Sequence, residues 1–588
     1  RRGSFALLLL FGAIWVGYEA SIVAQLPYVG HADYADNAVV ARNLVAGRGW
    51  LVDYVTQFYR LYDGVTRPQE TWPLLQPLWI APFFALFGPV AWAAKLPNLL
   101  FVVALAALIY AAGAHLWDRR VGLTAALIIL TNYLFFRLVI YSTSDLAFVV
   151  FSLGAIYLLY RATDDGQRSN VRTFKRSNVY LSGSSALTGL MLLQKPASGG
   201  LIALGMGLWL IRFWVMDYGF WMSERQSKTQ NLKSKILPVV LWGAIALAIL
   251  SPYLARNLWL FGTPFYSTES YDAWIIEYTD WDQIYSVYSL KSNPDRDELP
   301  NRSWILRWGF DRTQLKMSTQ VRAIRDYLVP PWKDLPLRLS DTLCGAYCDP
   351  LHDPKDPRLL FAMGAWLALL GALGAIHSKR RLIALLLAAF GPYTLFLVVY
   401  WHANEERYFV LLLPWLALLA AYALWRGYDR VAAIGDGRWA PVGLALVLTA
   451  LALVVRPSWP DIAQKVQVEP QVLAADLDAQ AWLREHTAPG DVIMTRVPWQ
   501  LNWQSERPAL MIPNTTDPDL LLRIARHYNA RYLMLDSQQR PDPAVRQMLD
   551  ALVADPRPNY RFQAVYSASY QVDGRGDIMT IVYRFPES

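Results

Sequence analysis

The sequence predicts a polytopic α-helical membrane protein with a C-terminal α/β domain outside the membrane. Of its 588 residues, 54% are hydrophobic, 14% are aromatic and only 17% are charged, a balance that excludes an ordinary soluble globule. Apolar stretches of roughly 17 to 25 residues recur, which is the length that crosses a bilayer as a helix. Strand-type alternation over about ten residues is absent from them, so the spans are expected to be helices.

About eleven spans are predicted in chain order, with their ends uncertain by several residues. They are 5–25, 95–114, 121–139, 145–162, 179–195, 197–215, 236–254, 359–376, 382–400, 408–425 and 439–455. The apolar stretch 73–90 is interrupted by Pro77, Pro82, Gly88 and Pro89. It is therefore expected to lie in the interface or to form a half-inserted hairpin.

The basic residues of the short loops predict the orientation of the chain. With eleven spans, these residues all fall on one side, which should be the cytoplasm: Arg1, Arg2, Arg119, Arg120, 161–176, 228–235, 379–381 and 426–430. The N-terminus is then cytoplasmic, and the protein is expected in the cytoplasmic membrane. The formal net charge of +8 has this topological explanation, so no nucleic-acid partner is needed. The transmembrane module is predicted over 1–456, with a first external loop at 26–94 and a long one at 255–358.

The composition becomes that of a soluble protein after residue 456, and the alternation of patterns predicts an extracytoplasmic α/β domain over 457–588. It contains no phosphate loop and no nucleophile elbow, which favours a cap or an acceptor platform. Helices are expected near 472–486, 518–529 and 544–553, and strands near 491–497, 509–512, 531–536, 560–566 and 578–585.

Six acidic residues map to the external face under this topology, from four separate stretches of the chain. Ionisable groups beside membrane spans are costly unless they line water or pair, so these acids could converge on one cavity. The alternative is that some of them only solvate loop ends. Asp145, at the start of the fourth span, could also cap its helix. The six are Asp33, Asp36, Glu70, Asp145, Glu405 and Glu406.

Three cationic residues lie at the external ends of spans. Lys195 ends the fifth span, Arg256 flanks the seventh and Arg407 flanks the tenth. Such groups can bind a lipid-linked phosphate or diphosphate, Arg with a fork geometry and Lys as a point charge. The alternative is that they reach toward lipid headgroups.

The two cysteines, Cys344 and Cys348, both fall in the long external loop. In an oxidising compartment they either form a small disulfide or remain as free thiols. No cluster with metal-ligand spacing is visible, although His31 beside Asp33 is a candidate ligand. No firm cofactor is predicted, and a divalent metal stays open.

Seven short motifs follow one another in order across about 30–425. They are Asp33…Ala41-Arg42-Asn43, Trp72-Pro73…Leu86-Phe87-Gly88, Ala94-Lys95-Leu96-Pro97, Asp145, Gly189…Gln194-Lys195, Pro252…Arg256-Asn257…Phe261-Gly262-Thr-Pro264 and Glu405-Glu406-Arg407-Tyr408…Pro414. Together they resemble the polyprenyl-phosphate-sugar-dependent glycosyltransferases of the GT-C superfamily, in the branch that contains protein O-mannosyltransferases and the bacterial aminoarabinose transferase of lipid A. Departures from the pattern of this branch are Tyr34 in place of an acid and a missing Lys in the segment Glu70-Thr-Trp-Pro73.

The resemblance implies an inverting transfer of a sugar from a polyprenyl-phosphate carrier to a lipid, glycan or protein acceptor outside the cytoplasm. Asp33 would be the base that takes the acceptor proton, and Asp145 would orient it or bind the acceptor. The donor phosphate would be held by Lys195, Arg256 and Arg407. The remaining residues expected in the substrate cavity are Asp36, Tyr59, Tyr62, Glu70, Glu405 and Tyr408.

Two other functional classes stay open at this point. A transporter or flippase for a lipid-linked glycan would use the same acids as proton relays. Acids in mid-span and an internal repeat of broken helices would favour this hypothesis. In the sequence only Glu19 approaches mid-span, and no repeat is visible. A binding or scaffold protein with a degenerate enzyme core is the second alternative.

Overall fold

The computed structural model describes a helical body joined to a mixed sheet. The described residues are 3–165, 171–213, 228–275, 281–292, 313–322, 362–401, 406–455, 458–536, 542–557, 561–572 and 576–586. Cys344, Cys348 and Glu405 lie outside these ranges.

The helical body is built from apolar helices that lie where the spans were predicted. Its elements, with the short helices α2, α3 and α11 of the predicted external loops, are α1 (Gly3–Gln25), α2 (Asp33–Val45), α3 (Leu75–Phe87), α4 (Ala91–Leu116), α5 (Arg119–Leu130), α6 (Tyr133–Ile140), α7 (Asp145–Asp165), α8 (Val171–Gln194), α9 (Pro196–Ile211), α10 (Lys228–Phe261), α11 (Glu269–Ile275), α12 (Ala362–Ser378), α13 (Arg380–Val399), α14 (Leu413–Ala432) and α15 (Ala440–Val455).

Six of the described helices are long and apolar enough to cross a membrane. They correspond to predicted spans one, two, four, seven, nine and ten. The spans predicted at 197–215, 359–376 and 439–455 fall on the shorter apolar helices α9, α12 and α15. The fifth falls on α8, so the count of eleven stays a prediction. The stretch 73–90 forms α3, a helix of 13 residues with Pro82 inside it.

The third predicted span is broken into α5 and α6, which are bent by 58°. Asn132 causes the break, because its side chain accepts a hydrogen bond from the backbone N–H of Leu134 at 3.0 Å and so begins a new helix. Asp118 starts α5 in the same way, accepting from the N–H groups of Arg120 and Val121.

The C-terminal segment forms the predicted alternation of helices and strands. Its elements are α16 (Ser458–His486), β3 (Val492–Thr495), α17 (Pro498–Ser505), β4 (Ala509–Met511), α18 (Pro518–His527), β5 (Ala530–Asp536), α19 (Pro543–Val553), β6 (Gln563–Val572) and β7 (Gly576–Arg584). Helix α17 was not predicted.

The sheet also contains two strands from the first external loop, β1 (Leu51–Val55) and β2 (Thr66–Pro68), which were not predicted. The strand order is β2-β1-β4-β3-β5-β7-β6. Strand β1 pairs in parallel with β4, with Tyr54 opposite Ala509. The first loop and the C-terminal segment therefore share one sheet.

Helix α2 lies between the helical body and this sheet. Its first turn contributes Tyr34 to the apolar core of the helical body. Its later residues Ala35, Ala38 and Val39 belong to the core beneath the sheet. Arg42 ties the helix to α17, donating to the side-chain oxygen of Asn502 at 2.8 Å. Both cores thus fix the position of the α2 N-terminus.

Candidate functional site

A cavity of about 330 Å³ lies at the N-terminal end of α2. Its walls come from distant parts of the chain: the first turn of α2, the segment before α3, the junction of α8 and α9, the connection from α10 to α11 and the end of α13. The side chains that carry chemistry in this wall are Asp33, Lys195, Glu269, Tyr400, Arg407 and Tyr408. The predicted residues Asp33, Lys195, Arg407 and Tyr408 therefore come together.

Asp33 is the first residue of α2 and points one carboxylate oxygen at a guanidinium. Arg407 Nη1 donates to Asp33 Oδ2 at 2.8 Å, with side chains 19% and 15% exposed. The turn before Asp33 needs unusual backbone: Gly30 has φ +110°, and a Cβ there would lie 2.6 Å from Tyr34 Cδ2. Ala32 has φ +45°, a conformation that costs a non-glycine residue on the order of 1–3 kcal/mol. The local chain is thus held in a conformation that presents Asp33 to the cavity.

Asp145 pairs with the second cation of the cavity. Lys195 Nζ donates to Asp145 Oδ1 at 2.5 Å, and Thr143 Oγ1 donates to the other oxygen at 2.8 Å. Asp145 is buried behind Lys195, which lines the cavity between α8 and α9. Pro196 starts α9 and separates it from α8, because a proline lacks the N–H that a continuous helix would need. The acid therefore positions the lysine.

The cavity thus holds two ion pairs in which each cation reaches the cavity surface. In each pair the attraction between the two charges offsets part of the cost of removing them from water. Guanidinium and ammonium groups offer several donors, so each cation can keep its acid and still bind an entering anion. The arrangement suits a ligand that carries a phosphate.

Glu269, the first residue of α11, is a cavity residue that sequence reasoning missed. Burial is the main cause that raises the pKa of its carboxyl to about 7, and the charge of Asp33 raises it further. Lys195 and Arg407 act in the opposite direction. The only signal in the sequence was its place, just after the segment Phe261…Pro264 on the predicted external side.

Two further predicted residues, Asp36 and Tyr59, lie behind the cavity wall. Asp36 accepts hydrogen bonds from the Tyr54 hydroxyl and the Gln69 amide. Burial raises its pKa to about 7. The Tyr59 hydroxyl donates to Asp272, and neither Tyr59 nor Asp36 is part of the cavity lining.

Tyr62 and Glu70 line a second cavity of about 290 Å³, which shares Tyr266 with the first. Arg67 Nη1 donates to Glu70 Oε1 at 2.9 Å, and the Tyr62 hydroxyl donates to the same carboxylate. Arg60 completes this cluster.

Arg256 is not brought to Lys195 and Arg407. Its Nη2 donates to the backbone carbonyl of Gln69 at 2.7 Å, beside the second cavity.

Among the residues that the structure describes, no group of three or more His, Cys, Asp or Glu side chains is arranged to hold a metal ion. His31 packs against Trp499, with ring centroids 5.9 Å apart.

Comparison with known proteins gives a family match for part of the chain. The sequence model of dolichyl-phosphate-mannose-protein mannosyltransferases matches residues 71–255. This match contains Asp145 and Lys195 and ends just before Arg256. No curated protein sequence matches the chain closely enough to be counted as a relative.

Solved structures with a similar fold cover nearly all of the chain. The archaeal oligosaccharyltransferase AglB from Archaeoglobus fulgidus, in complex with an inhibitory peptide and a dolichol-phosphate, has a TM-score of 0.55 and 12% identity, covering 90% of this chain and 69% of that one. The same archaeal enzyme tethered with an acceptor peptide has a TM-score of 0.56 and 13% identity, with the same coverage.

A second solved protein matches end to end. ArnT from Cupriavidus metallidurans in the apo state has a TM-score of 0.50 and 13% identity, covering 99% of this chain and 98% of that one. In fold, and in sequence over residues 71–255, this chain therefore resembles the GT-C glycosyltransferases, the group to which the mannosyltransferase and ArnT branch belongs.

Proposed function

We propose that this protein is an inverting glycosyltransferase that moves a sugar from a polyprenyl-phosphate carrier to an acceptor on the extracytoplasmic face of the cytoplasmic membrane. The observation that carries the proposal is the cavity with Asp33, Lys195 and Arg407, in which an acid and two cations face one space. The similar solved structure with a bound dolichol-phosphate supports the choice of a lipid phosphate.

The two cations hold the donor phosphate in this proposal. Lys195 and Arg407 reach the cavity, and each keeps its own acid in place. As the sugar leaves, the phosphate gains negative charge, and positive groups that are already oriented stabilise this charge in the transition state. Arg256 donates to the Gln69 carbonyl beside the second cavity, so this proposal does not assign it to the donor phosphate.

Asp33 takes the proton of the acceptor. The bond between the anomeric carbon and the phosphate oxygen breaks, and the acceptor oxygen forms a bond to the same carbon from the opposite side, which inverts the configuration. Arg407 engages Oδ2 of Asp33, so Oδ1 receives the proton. Asp145 positions Lys195 and does not itself contact the sugar.

The acceptor would approach from the second cavity, where Tyr62, Glu70, Arg60 and Arg67 lie. Tyr266 lines both this space and the first cavity, so the two are neighbours. The N-terminus is then cytoplasmic, the sheet lies on the external side, and 457–588 together with the first loop forms a platform for the acceptor.

Donor turnover tests the proposal. The purified full chain in lipid is given a panel of radiolabelled polyprenyl-phosphate sugars, alongside Asp33→Asn. We expect one sugar to be released or transferred by the parent, and we expect a loss of about 100-fold or more in Asp33→Asn.

Retained binding of polyprenyl phosphate by Asp33→Asn shows that the variant is folded. Consumption of no lipid-phosphate sugar by the parent would overturn the proposed reaction. Equal activity of parent and variant would overturn the role of Asp33.

A further inference from the structure

Glu269 lines the cavity but is not a partner in either of its two ion pairs. It is only partly exposed, and Trp72 lines the same cavity. A carboxyl group placed in this way can exchange a proton with a bound substrate.

The start of α11 is fixed against the first loop by side-chain hydrogen bonds. Ser267 Oγ donates to the Thr71 carbonyl at 2.8 Å, and the hydroxyls of Thr268 and Thr71 are 2.8 Å apart. The backbone N–H of Glu269 donates to Ser267 Oγ at 3.3 Å. These bonds fix the backbone at Glu269 next to the segment that contains Thr71 and Trp72.

Glu269 shares the cavity wall with both cations and with Asp33. The charges of Lys195 and Arg407 lower the pKa of its carboxyl, while burial and the charge of Asp33 raise it. The groups that carry charge or titrate around it are Lys195, Arg407, Asp33, Tyr253 and Asp272. Lys195 and Arg407 are the residues that hold the donor phosphate in the proposed function, so Glu269 and the leaving group share one cavity.

We propose that Glu269 is the general acid that gives a proton to the phosphate oxygen released from the anomeric carbon. This inference rests on the proposed function and adds a second catalytic residue to it. In inverting glycoside hydrolysis, a related substitution at an anomeric carbon, one carboxyl group acts as the acid and a second as the base.

The step balances with groups that the cavity contains. The bond from the anomeric carbon to the phosphate oxygen breaks, its electron pair stays on that oxygen, and the proton of Glu269 moves to the phosphate. The acceptor oxygen bonds to the anomeric carbon and loses its proton to Asp33. Asp33 then carries a proton and Glu269 a negative charge, and exchange with water restores both.

The proton affinities of the two groups are matched. The dianion of a phosphate monoester takes up one proton with a pKa of about 6. The pKa of Glu269 is raised to about 7, so it is largely protonated below that pH and can pass a proton to the phosphate with little cost. Protonation also limits the negative charge that would gather beside Asp33 and Asp145.

Steady-state kinetics across about pH 5 to 9 test the assignment. The reaction is release of polyprenyl phosphate from the radiolabelled donor by the full chain in lipid. The parent kcat should fall as the pH rises through about 7, where Glu269 loses its proton. In Glu269→Gln, kcat below that pH should be lower than that of the parent by about 100-fold or more. The fall of kcat with rising pH should vanish in this variant, and its KM for the donor should change little. Glu269→Asp should retain the falling limb.

Asp272→Asn is the matched control, because Asp272 is a buried acid on the same short helix and lies outside the cavity lining. Its kinetics should follow the parent. The assignment is overturned when Glu269→Gln keeps the falling limb, raises only KM, or loses activity only above about pH 7, as it would if Glu269 were a base. Release of no lipid phosphate by the parent overturns the proposed function itself, a result distinct from all of these.

Discussion

At the scale of single residues, the cavity depends on charges that hold one another in place. Asp145 is 2% exposed, so removing Lys195 leaves a buried carboxylate without its cation. A buried pair of this kind contributes little net stability, but breaking it from one side is expensive. The role of Lys195 is therefore in the cavity and not in stabilising the fold.

Replacing Lys195 tests this pairing. Lys195→Met should destabilise the protein by about 3–5 kcal/mol and abolish donor turnover. Asp145→Leu together with Lys195→Met should recover most of the stability without recovering turnover. Thermal unfolding in lipid measures the first effect, and equal melting temperatures for the single and double variants would contradict it.

Asp36 gives the folded protein a dependence on pH. Its pKa is raised from 3.8 to about 7 by burial, so the folded state binds a proton between these values that the unfolded state has lost. Stability from this group is therefore present at low pH and falls as the pH rises from about 4 to about 7.

Asp36→Asn should remove that part of the pH dependence and raise the melting temperature at pH 8 more than at pH 5. Thermal unfolding at both values measures it. A parent and variant that differ by the same amount at pH 5 and pH 8 would show that Asp36 does not titrate in this range.

At the scale of elements, close contact between helices decides where the cavity walls lie. A Cβ on Gly205 of α9 would lie 1.9 Å from the carbonyl oxygen of Ala388 in α13, so these two helices touch through backbone. Small residues allow such approach between membrane helices. Both helices end at the cavity, through Pro196 to Ser198 and Phe396 to Trp401.

Gly205→Ala should therefore separate α9 from α13 and destabilise the protein by about 1–3 kcal/mol. Gly200→Ala in the same helix is the matched control, since a Cβ there meets nothing within 4 Å. Thermal unfolding in lipid compares them. Equal stability of the two variants would mean that the helices are not in backbone contact.

Arg42 connects the helix that carries Asp33 to the C-terminal segment. Its guanidinium donates to the Asn502 side chain and to the carbonyls of Asn502 and Trp503. Arg42→Ala should lose about 1.5–3 kcal/mol of stability and lower donor turnover, because α2 loses its link to α17. Limited proteolysis and turnover measure this, with Arg523→Ala on the exposed face of α18 as control. Unchanged turnover would mean that α17 does not position α2.

At the scale of the whole molecule, the sequence predicted the helical body and missed the way its first loop joins the sheet. Hydrophobic length is a strong local signal, so the predicted spans fall on helices. The bend at Asn132 was missed because a single capping residue does not interrupt the apolar run. Strand β1 was missed because its five residues carry a weak pattern, and its partner β4 lies far along the chain.

The residues around the cavity likewise include some that the sequence predicts and some that it does not. Asp33, Lys195 and Arg407 could be predicted because each is a charged residue near the predicted external end of an apolar span, where charge is costly without a role. Glu269 could not, since it follows a loop segment and its burial arises only when α11 packs against the segment around Thr71. Arg256 lies at a span end as well, yet its partner is a backbone carbonyl, which no side-chain pattern reveals.

The position of bound polyprenyl phosphate shows whether Lys195 and Arg407 hold the donor phosphate. We would determine the structure of the full chain in a lipid nanodisc with polyprenyl phosphate by electron cryo-microscopy. We expect the phosphate to lie in the first cavity, within hydrogen-bond distance of Lys195 Nζ and the Arg407 guanidinium, with Asp33 and Glu269 beside it. A phosphate bound instead at Arg60 and Arg67, or outside both cavities, would contradict it.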